Sequence, residues 1–212
     1  MGYTTDFIGH IDIEPALNQD EVEYLMAFSR SRRFDRPDGP YAVPGNPMAA
    51  LETEHETVDV DTYNRVAPGQ PQLWCQWVPC LDGCCLSFDG NEKFYQPVAW
   101  MRYLIQHFLK PGAAASRTGL PAFEHFTFDH RLDGMIVGCR RDTKKLYAIN
   151  VTRNRVTEKI LRPGLTEYFG RPPLAYEEAL DRWETSSRRR RRVPPEQPSA
   201  AVVDLATRRA RA

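Results

Sequence analysis

The order of the structural elements is clearest in residues 73–110, LWCQWVPCLDGCCLSFDGNEKFYQPVAWMRYLIQHFLK. Leu73–Pro79 and Cys84–Phe88 are short apolar runs with the turn-forming residues Leu81-Asp82-Gly83 between them, so the sequence predicts a β-hairpin. The most apolar helix of the chain is then predicted over Pro97–Lys110. Its apolar residues recur at helical spacing along one stripe, at Val98, Met101, Ile105 and Phe108.

A strand and a helix are predicted before this hairpin. Asp6–Pro15 alternates between an apolar face and a polar face, which is typical of a strand with one buried side. Asn18 then fits the N-cap of a helix, and Glu21, three residues later, completes a capping box. Because Arg30-Ser31-Arg32-Arg33 places basic charge where the helix dipole favours it, the helix is predicted over Gln19–Arg32.

Four short strands are predicted after the second helix, and they indicate an antiparallel meander. They lie at Phe123–Phe128, Gly134–Cys139, Leu146–Val151 and Val156–Ile160. The order β-α-β-β-α-β, with extra C-terminal strands, predicts an α+β fold of two layers, in which two helices pack on one face of an antiparallel sheet. A ferredoxin-like arrangement of the core is one topology that this order allows.

The chain is predicted to form one folded domain with appendages. Residues 1–161 form a single α+β domain, 162–184 a linker that includes a candidate short helix, and 185–212 a disordered tail rich in Arg and Pro. Inside the domain, residues 34–72 hold six prolines and an acidic middle segment without sustained periodicity. They predict a long loop with one short element near Thr57–Asp61, and such loops are usually functional or disordered.

Charge is spread unevenly along the chain. The 28 Lys and Arg balance the 28 Asp and Glu overall, yet residues 185–212 hold eight arginines against Glu196 and Asp204. Arginine pairs with phosphate and keeps its charge near pH 7. The sequence therefore predicts weak, non-specific, salt-dependent nucleic-acid binding by the tail, with a solvated extension as the alternative. The predicted contact residues are Arg188, Arg189, Arg190, Arg191 and Arg192.

The cysteines and the apolar residues indicate the compartment. Five cysteines are an odd number, and no secretory signal is recognisable in the first residues, so free thiols in a reducing cytoplasm are expected. No run of about 18 apolar residues occurs, so no membrane contact is expected. With 42% hydrophobic and 26% charged residues, the chain can build a packed core.

Three motifs in the middle of the chain follow a familiar pattern: the strand Trp74-Cys75-Gln76-Trp77, the segment Glu92-Lys93-Phe94-Tyr95, and the helix Trp100–Leu109, which reads W-x-x-Y-L-I-x-H-F-L. In these motifs the chain resembles a family of small bacterial and phage proteins that has no established activity. The resemblance implies a shared fold and no particular chemistry. The hairpin cysteines depart from the family pattern, which has ordinary polar or apolar residues there.

Four of the five cysteines lie in the predicted hairpin, where metal and redox chemistry are both open alternatives to plain buried thiols. The spacing Cys75-x4-Cys80-x3-Cys84-Cys85 lacks the C-x2-C pairs of a zinc knuckle, so Cys80 and Cys84, which flank the turn, are only weak metal candidates. The segment His125–His130 offers two His and one Asp, but in a strand His130 lies on the opposite face from the other ligands. No resident metal or cofactor is predicted.

No motif establishes an enzyme, because the chain lacks phosphate-binding, dinucleotide-binding and zinc-protease signatures. His107 on the second helix can act as a general base, and Glu92 lies just before that helix. An enzyme of unknown class with its site near the hairpin and second helix is therefore an alternative. The competing interpretation of His107 is a core or boundary histidine that is hydrogen-bonded to a carbonyl group.

Aromatic and charged residues near the hairpin favour a binding module. Trp74 and Trp77 lie on opposite faces of one strand, so one is expected in the core and the other on the outer face, free to dock a partner or covered by residues 34–72. Lys93 and Tyr95 lie at a loop-to-helix junction, which is a plausible contact surface, although Tyr95 can also staple the start of the helix. The sequence predicts a non-enzymatic cytoplasmic module that binds a protein partner through Trp77, Tyr95 and Lys93.

Overall fold

The computed structural model describes residues 3–165 and 182–183. The chain divides into two compact units, Met1–Tyr168 and Phe169–Ala212. The first unit carries the fold described below. In the second unit only residues 182–183 are described, and both are helical.

The Arg-rich tail lies outside the described residues. Arg188–Arg192 all fall there, so their predicted contact with nucleic acid stays a prediction. Within the part of the chain that the structure describes, no helix is long and apolar enough to cross a lipid bilayer.

Six antiparallel strands form one open sheet, which confirms the α+β class. The strands are β1 (Thr5–Glu14), β2 (Trp77–Pro79), β3 (Cys85–Phe88), β4 (Arg131–Arg140), β5 (Leu146–Thr152) and β6 (Arg155–Arg162). Their order in the sheet is β2-β3-β1-β4-β5-β6. β1 pairs with β4 over its whole length, from Thr5 opposite Arg140 to Glu14 opposite Arg131. The predicted hairpin is β2–β3, and the last three strands form the predicted meander.

Four helices accompany the sheet: α1 (Gln19–Arg30), α2 (Pro47–Thr57), α3 (Val60–Tyr63) and α4 (Pro97–Leu104). α4 continues into a π-helical turn at Ile105–Leu109, so the predicted second helix is confirmed in extent to within one residue. α1 begins with the predicted capping box. Asn18 Oδ1 accepts from the Glu21 N–H at 3.0 Å, and Glu21 Oε2 accepts from the Asn18 N–H at 2.8 Å.

Residues 34–72 are not the long loop that the sequence predicted. They contain α2 and α3, and Arg36 pairs with Glu54 on α2. α2 has start signals in Asn46, whose side chain caps the helix, and in Pro47. None of its residues is buried, so it lacks the apolar stripe by which periodicity reveals a helix.

Phe123–Phe128 does not form the predicted strand. The Phe126 N–H donates to the Phe123 carbonyl, which closes a turn. Both rings pack against Tyr24 of α1, so their three-residue spacing reflects a turn and not the alternation of a strand. Phe128 has a φ of 51°, which an extended strand does not allow.

One hydrophobic core joins the sheet to α1 and to α4 with its π-helical turn. Each buried Leu, Ile, Phe or Met side chain contributes about 1.5–3 kcal/mol relative to an exposed one. The predicted stripe is confirmed at Met101, Ile105 and Phe108, which are at most 1% exposed, whereas its first member, Val98, is half-buried. Other core residues are Ile11, Ile13, Leu86, Ile136 and Ile149 from the sheet, Val22, Leu25 and Phe28 from α1, and Trp100 and Leu104 from α4.

A buried ion pair ties the start of α1 to the segment before β4. Glu21 and His130 are each 1% exposed, and Glu21 Oε1 lies 3.1 Å from His130 Nε2. His130 Nδ1 lies 2.7 Å from the Pro15 carbonyl oxygen. Because a carbonyl oxygen can only accept, Nδ1 carries a proton. Thr127 donates its N–H and its hydroxyl to the same Glu21 oxygen.

Hydrogen bonding outweighs burial in setting the pKa values of this pair. Burial acts to raise the pKa of Glu21 and to lower that of His130, since each charged form loses water. Bonds from His130, Asn18 and Thr127 nevertheless lower the pKa of Glu21 below its ordinary 4.5. Bonds to Glu21 and Pro15 raise the pKa of His130 above its ordinary 6.5. Between about pH 4.5 and pH 6.5 the Glu21 carboxylate therefore faces the His130 imidazolium.

We expect this pair to stabilise the domain most between about pH 4.5 and pH 6.5. The raised pKa of His130 gives stability that is complete below its unfolded pKa and is lost as the pH rises through its folded pKa. The lowered pKa of Glu21 gives stability that is present above its unfolded pKa and is lost as the pH falls through its folded pKa. Chemical denaturation at pH values from below 4.5 to above 6.5 measures the loss of stability on both sides of this range.

Glu21→Gln leaves His130 buried without its counter-charge, and we expect a loss of about 3 kcal/mol near pH 6. The loss should shrink at alkaline pH, where His130 is neutral. His125→Gln is the matched control, because His125 is an exposed histidine in the same segment. If the free energy of unfolding falls as steeply above pH 6.5 in Glu21→Gln as in the wild type, the ion pair is not the cause of that fall.

Candidate binding site

A cavity of about 600 Å³ lies between the end of α1, α2, and the two segments that flank the β2–β3 hairpin. Its size is within the range of about 300–1,000 Å³ that is usual for ligand sites. We call it the Trp74 cavity. Its lining residues are Ser29, Arg30, Arg32, Met48, Leu51, Gln72, Leu73, Trp74, Gln76, Asp89, Asn91, Glu92, Lys93 and Tyr95.

The hairpin brings the two flanking segments together. The Asp89 N–H donates to the Gln76 carbonyl at 3.1 Å, which extends the pairing beyond β2 and β3. Gln76 Nε2 donates to the Glu92 carbonyl, also at 3.1 Å. These bonds hold Trp74 and Tyr95, which are 21 positions apart in the sequence, in the lining of one cavity.

The two tryptophans differ in burial as the sequence predicted, although β2 begins only at Trp77, so Trp74 lies before the strand and not on its opposite face. Trp77 is 1% exposed, its Nε1 donates to the Pro97 carbonyl at 2.8 Å, and its ring packs on Phe94 with the centroids 5.0 Å apart. Trp74 is half-buried and lines the cavity. Because a side chain inside the core has no surface to offer a partner, Trp74 replaces Trp77 among the predicted contact residues.

Phe94 and its neighbour Tyr95 lie in different environments, and the backbone on either side of them is unusual. Lys93 and Gln96 have φ values of 63° and 55°, which lie in the left-handed region. Residues other than glycine adopt this conformation at a cost of about 1–3 kcal/mol. Phe94 is 1% exposed and belongs to the core, whereas Tyr95 is half-buried and lines the cavity. The Tyr95 ring also meets Tyr3 edge to face at 5.0 Å. Lys93 and Tyr95 are therefore brought together at the cavity.

Arg32 places a cation beside Trp74. Its Nε donates to the Tyr63 carbonyl at 2.9 Å, and its Nη2 donates to Asn64 Oδ1 at 2.7 Å. The guanidinium carbon lies 4.4 Å from the Tyr63 ring centroid and 5.8 Å from the Trp74 ring centroid, within cation–π range. Sequence analysis missed this role, because Tyr63 and Asn64 come from the region predicted as a loop.

Some polar side chains of the cavity lining have hydrogen-bond partners and others do not. It carries three cations and two carboxylates, and Asp89 already accepts hydrogen bonds from Asn91. Gln76 is 7% exposed, and its Oε1 is buried without a hydrogen-bond partner among the described residues. A buried acceptor without a donor costs about 1–3 kcal/mol.

His107 does not line the Trp74 cavity, although Glu92 does. His107 Nδ1 lies 2.6 Å from the Tyr41 hydroxyl, and its ring stacks on Tyr103 with the centroids 3.9 Å apart. Burial lowers the pKa of His107 below its ordinary 6.5, so at pH 7 the ring is neutral and shares a hydrogen bond with the Tyr41 hydroxyl. The expected carbonyl partner is thus a hydroxyl group. The structure does not bring the two candidate catalytic residues together in this cavity.

Three thiols meet at the hairpin turn. Cys80 Sγ lies 3.4 Å from Cys84 Sγ, and Cys85 Sγ completes a group in which all three sulfurs lie within 4.8 Å of one another. Across residues 3–165 and 182–183, no other three His, Cys, Asp or Glu residues place ligand atoms in such a group. The segment His125–His130 accordingly forms none, and its His130 is engaged with Glu21.

Comparison with known proteins yields no assignment. No protein-family model matches the chain, and no curated protein or solved structure is significantly similar to it. The family resemblance of the WCQW and EKFY motifs therefore stays a prediction. Function has to follow from the geometry of the Trp74 cavity and of the three thiols.

We expect Trp77→Ala to lower the free energy of unfolding by about 3–5 kcal/mol, because it empties a closed part of the core. Trp74→Ala should cost at most about 1 kcal/mol, since a half-buried side chain at an open cavity leaves no enclosed void. Urea denaturation followed by circular dichroism compares the two variants. Equal losses would contradict the assignment of Trp77 to the core and Trp74 to the cavity.

Proposed function

We propose that this protein is a non-enzymatic binding module, and that the Trp74 cavity binds a short segment of another protein. The observation that carries the proposal is the joint placement of Trp74 and Tyr95 in one concave site of about 600 Å³. Tryptophan, tyrosine and arginine are enriched among the few residues that dominate the binding energy of protein interfaces. Arg32, stacked beside Trp74, adds the third of these residue types to the same lining.

The apolar part of the lining indicates that the partner segment carries a large apolar anchor side chain. Met48 is 63% exposed, and Leu51, Leu73 and Trp74 are half-buried. Covering such surface contributes about 25 cal/mol per Å² removed from water. The flexible Met48 side chain on α2 adapts to anchors of different shape. An apolar anchor such as Leu or Phe fits this lining best.

The charged part of the lining indicates an acidic residue next to that anchor. Arg30 and Lys93 form no ion pair with any described residue, and Arg32 is held by uncharged partners. Glu92 is the one carboxylate of the lining without a hydrogen-bonded neighbour on its side chain among the described residues. The excess of cations favours a partner carboxylate.

We infer that the first four strands and the helices α1 and α4 form a ferredoxin-like core with both helices on one face. The order β2-β3-β1-β4, antiparallel throughout, supports this inference because it is the order of a split β-α-β unit. The presence of α1 and α4 residues in one hydrophobic cluster also supports it. An experimental structure with α1 and α4 on opposite faces of the sheet would contradict it.

We place the protein in a reducing compartment, with the cytoplasm as the natural one. All five cysteines are free. The chain has five cysteines, and an odd number is typical of free thiols in a reducing compartment.

Selection of peptides from a random library against the full chain tests the binding function. We expect the selected peptides to share a large apolar residue next to an acidic one. For a synthetic peptide of that consensus, Trp74→Ala should weaken binding by about thirtyfold, the equivalent of a 2 kcal/mol hot spot. Fluorescence anisotropy with labelled peptide measures the dissociation constants.

Ile8→Ala is the matched control, because Ile8 is 76% exposed on β1 and does not line the cavity. We expect it to bind the peptide as the wild type does. Trp74→Ala should keep its thermal transition, so that weaker binding reports on the contact. Peptides that bind Trp74→Ala as tightly as wild type would show that the cavity is not the binding site, and a selection that enriches no peptide would reject a peptide-binding module.

A further inference from the structure

We propose that the turn between β2 and β3 is a zinc site in which Cys80, Cys84 and Cys85 supply three thiolate ligands and the fourth coordination position stays open. We call this group the Cys80 cluster. The proposal stands apart from the Trp74 cavity, since none of the three cysteines lines that cavity. Thiolates are the ligands that soft and borderline metals such as zinc prefer.

The spacing of the sulfurs fits a shared metal ion. Tetrahedral zinc with Zn–S bonds of about 2.3 Å places its sulfurs about 3.8 Å apart. In the Cys80 cluster Cys80 Sγ lies 3.4 Å from Cys84 Sγ, and all three sulfurs lie within 4.8 Å of one another. A disulfide would use only two of the three sulfurs and would require a separation of about 2.05 Å. Three converging sulfurs are therefore better explained by a metal than by a disulfide.

The turn that carries the ligands is closed by its own backbone. The Cys80 N–H donates to the Cys85 carbonyl, and the Gly83 N–H donates to the Cys80 carbonyl, both at 3.0 Å. This places residue 80 directly across from residues 84 and 85. The spacing C-x3-C-C therefore brings all three thiols to one end of the hairpin, although it is not a zinc-knuckle spacing.

The turn is also hydrogen-bonded to the end of β1 and to the connection between β1 and α1. The Ile13 N–H donates to the Cys84 carbonyl at 2.8 Å, and the Leu17 N–H donates to the Gly83 carbonyl at 3.0 Å. Gly83 has a φ of 68°, and a Cβ there would lie 2.5 Å from the Leu17 carbonyl oxygen, so only glycine fits. A turn fixed at these points holds its ligands in place before the metal arrives, which reduces the ordering cost of binding.

The fourth position has no protein ligand among the described residues, because no additional His, Cys, Asp or Glu joins the group. Zinc sites with three protein ligands bind water or an incoming ligand at the fourth position. Cys84 is exposed, and Cys80 and Cys85 are half-buried, so solvent reaches the cluster. The site therefore takes zinc directly from solution.

Zinc sulfate titrated into the reduced full chain, against a chromophoric chelator, measures stoichiometry and affinity. We expect one zinc ion per chain. Cobalt(II) in place of zinc should give the charge-transfer absorption of thiolate ligands. Cys84→Ser should weaken zinc binding at least about a hundredfold, because loss of even a residue that only orients a ligand costs about 10–100-fold. Cys84 is exposed, so this variant should fold like the wild type.

Cys139→Ser is the matched control, because Cys139 is buried on β4, opposite Asp6 at the far end of β1 from the cluster. It should bind zinc as the wild type does. Wild-type protein that binds zinc no more tightly than Cys84→Ser would overturn the proposal. So would a cobalt complex without thiolate absorption. A stoichiometry of one zinc ion per two chains would contradict the open fourth position, because the metal would then be shared between two copies of the chain.

Discussion

Glu21 accepts hydrogen bonds from Asn18, Thr127 and His130 while it is almost fully excluded from water. Breaking such a buried pair from one side costs about 3–5 kcal/mol, since an uncompensated charge stays in the interior. The same histidine donates to Pro15, and its carbonyl accepts from Asn154 at 2.8 Å. One ion pair thus joins the end of β1, the start of α1, the segment before β4 and the β5–β6 turn.

Both candidate sites lie where α1 is anchored or where it ends. The turn of the Cys80 cluster is hydrogen-bonded to Leu17, just before the helix. The Trp74 cavity takes Ser29 and Arg30 from the last turn of α1. A helix of 12 residues is about 18 Å long, so a rigid element separates the two attachments. The Glu21 ion pair, which fixes the start of α1, therefore contributes to the geometry of both sites.

The β2–β3 hairpin carries both proposed activities at different parts of its length. Its turn holds the three thiols, while the segments beyond its open end supply Trp74 and Tyr95. The hairpin lies at one edge of the sheet, because β2 pairs only with β3. A ligand can reach an edge hairpin without opening the hydrophobic core. The two sites nevertheless depend on different residues, so each can fail without the other.

Local sequence determined the features that are formed by residues close together in the chain: the capping box of α1, the apolar stripe of α4, the alternation of β1 and the β2–β3 hairpin. Each of them is visible in the sequence as a periodic pattern or a fixed spacing, because its residues lie within a few positions of one another. α2 left none, since its packing buries no residue. Tertiary structure alone decided the strand order, the choice of Trp77 for the core and Trp74 for the cavity, and the meeting of Glu21 with His130. Those outcomes depend on contacts between segments far apart in the chain, for which single-sequence periodicity carries no signal.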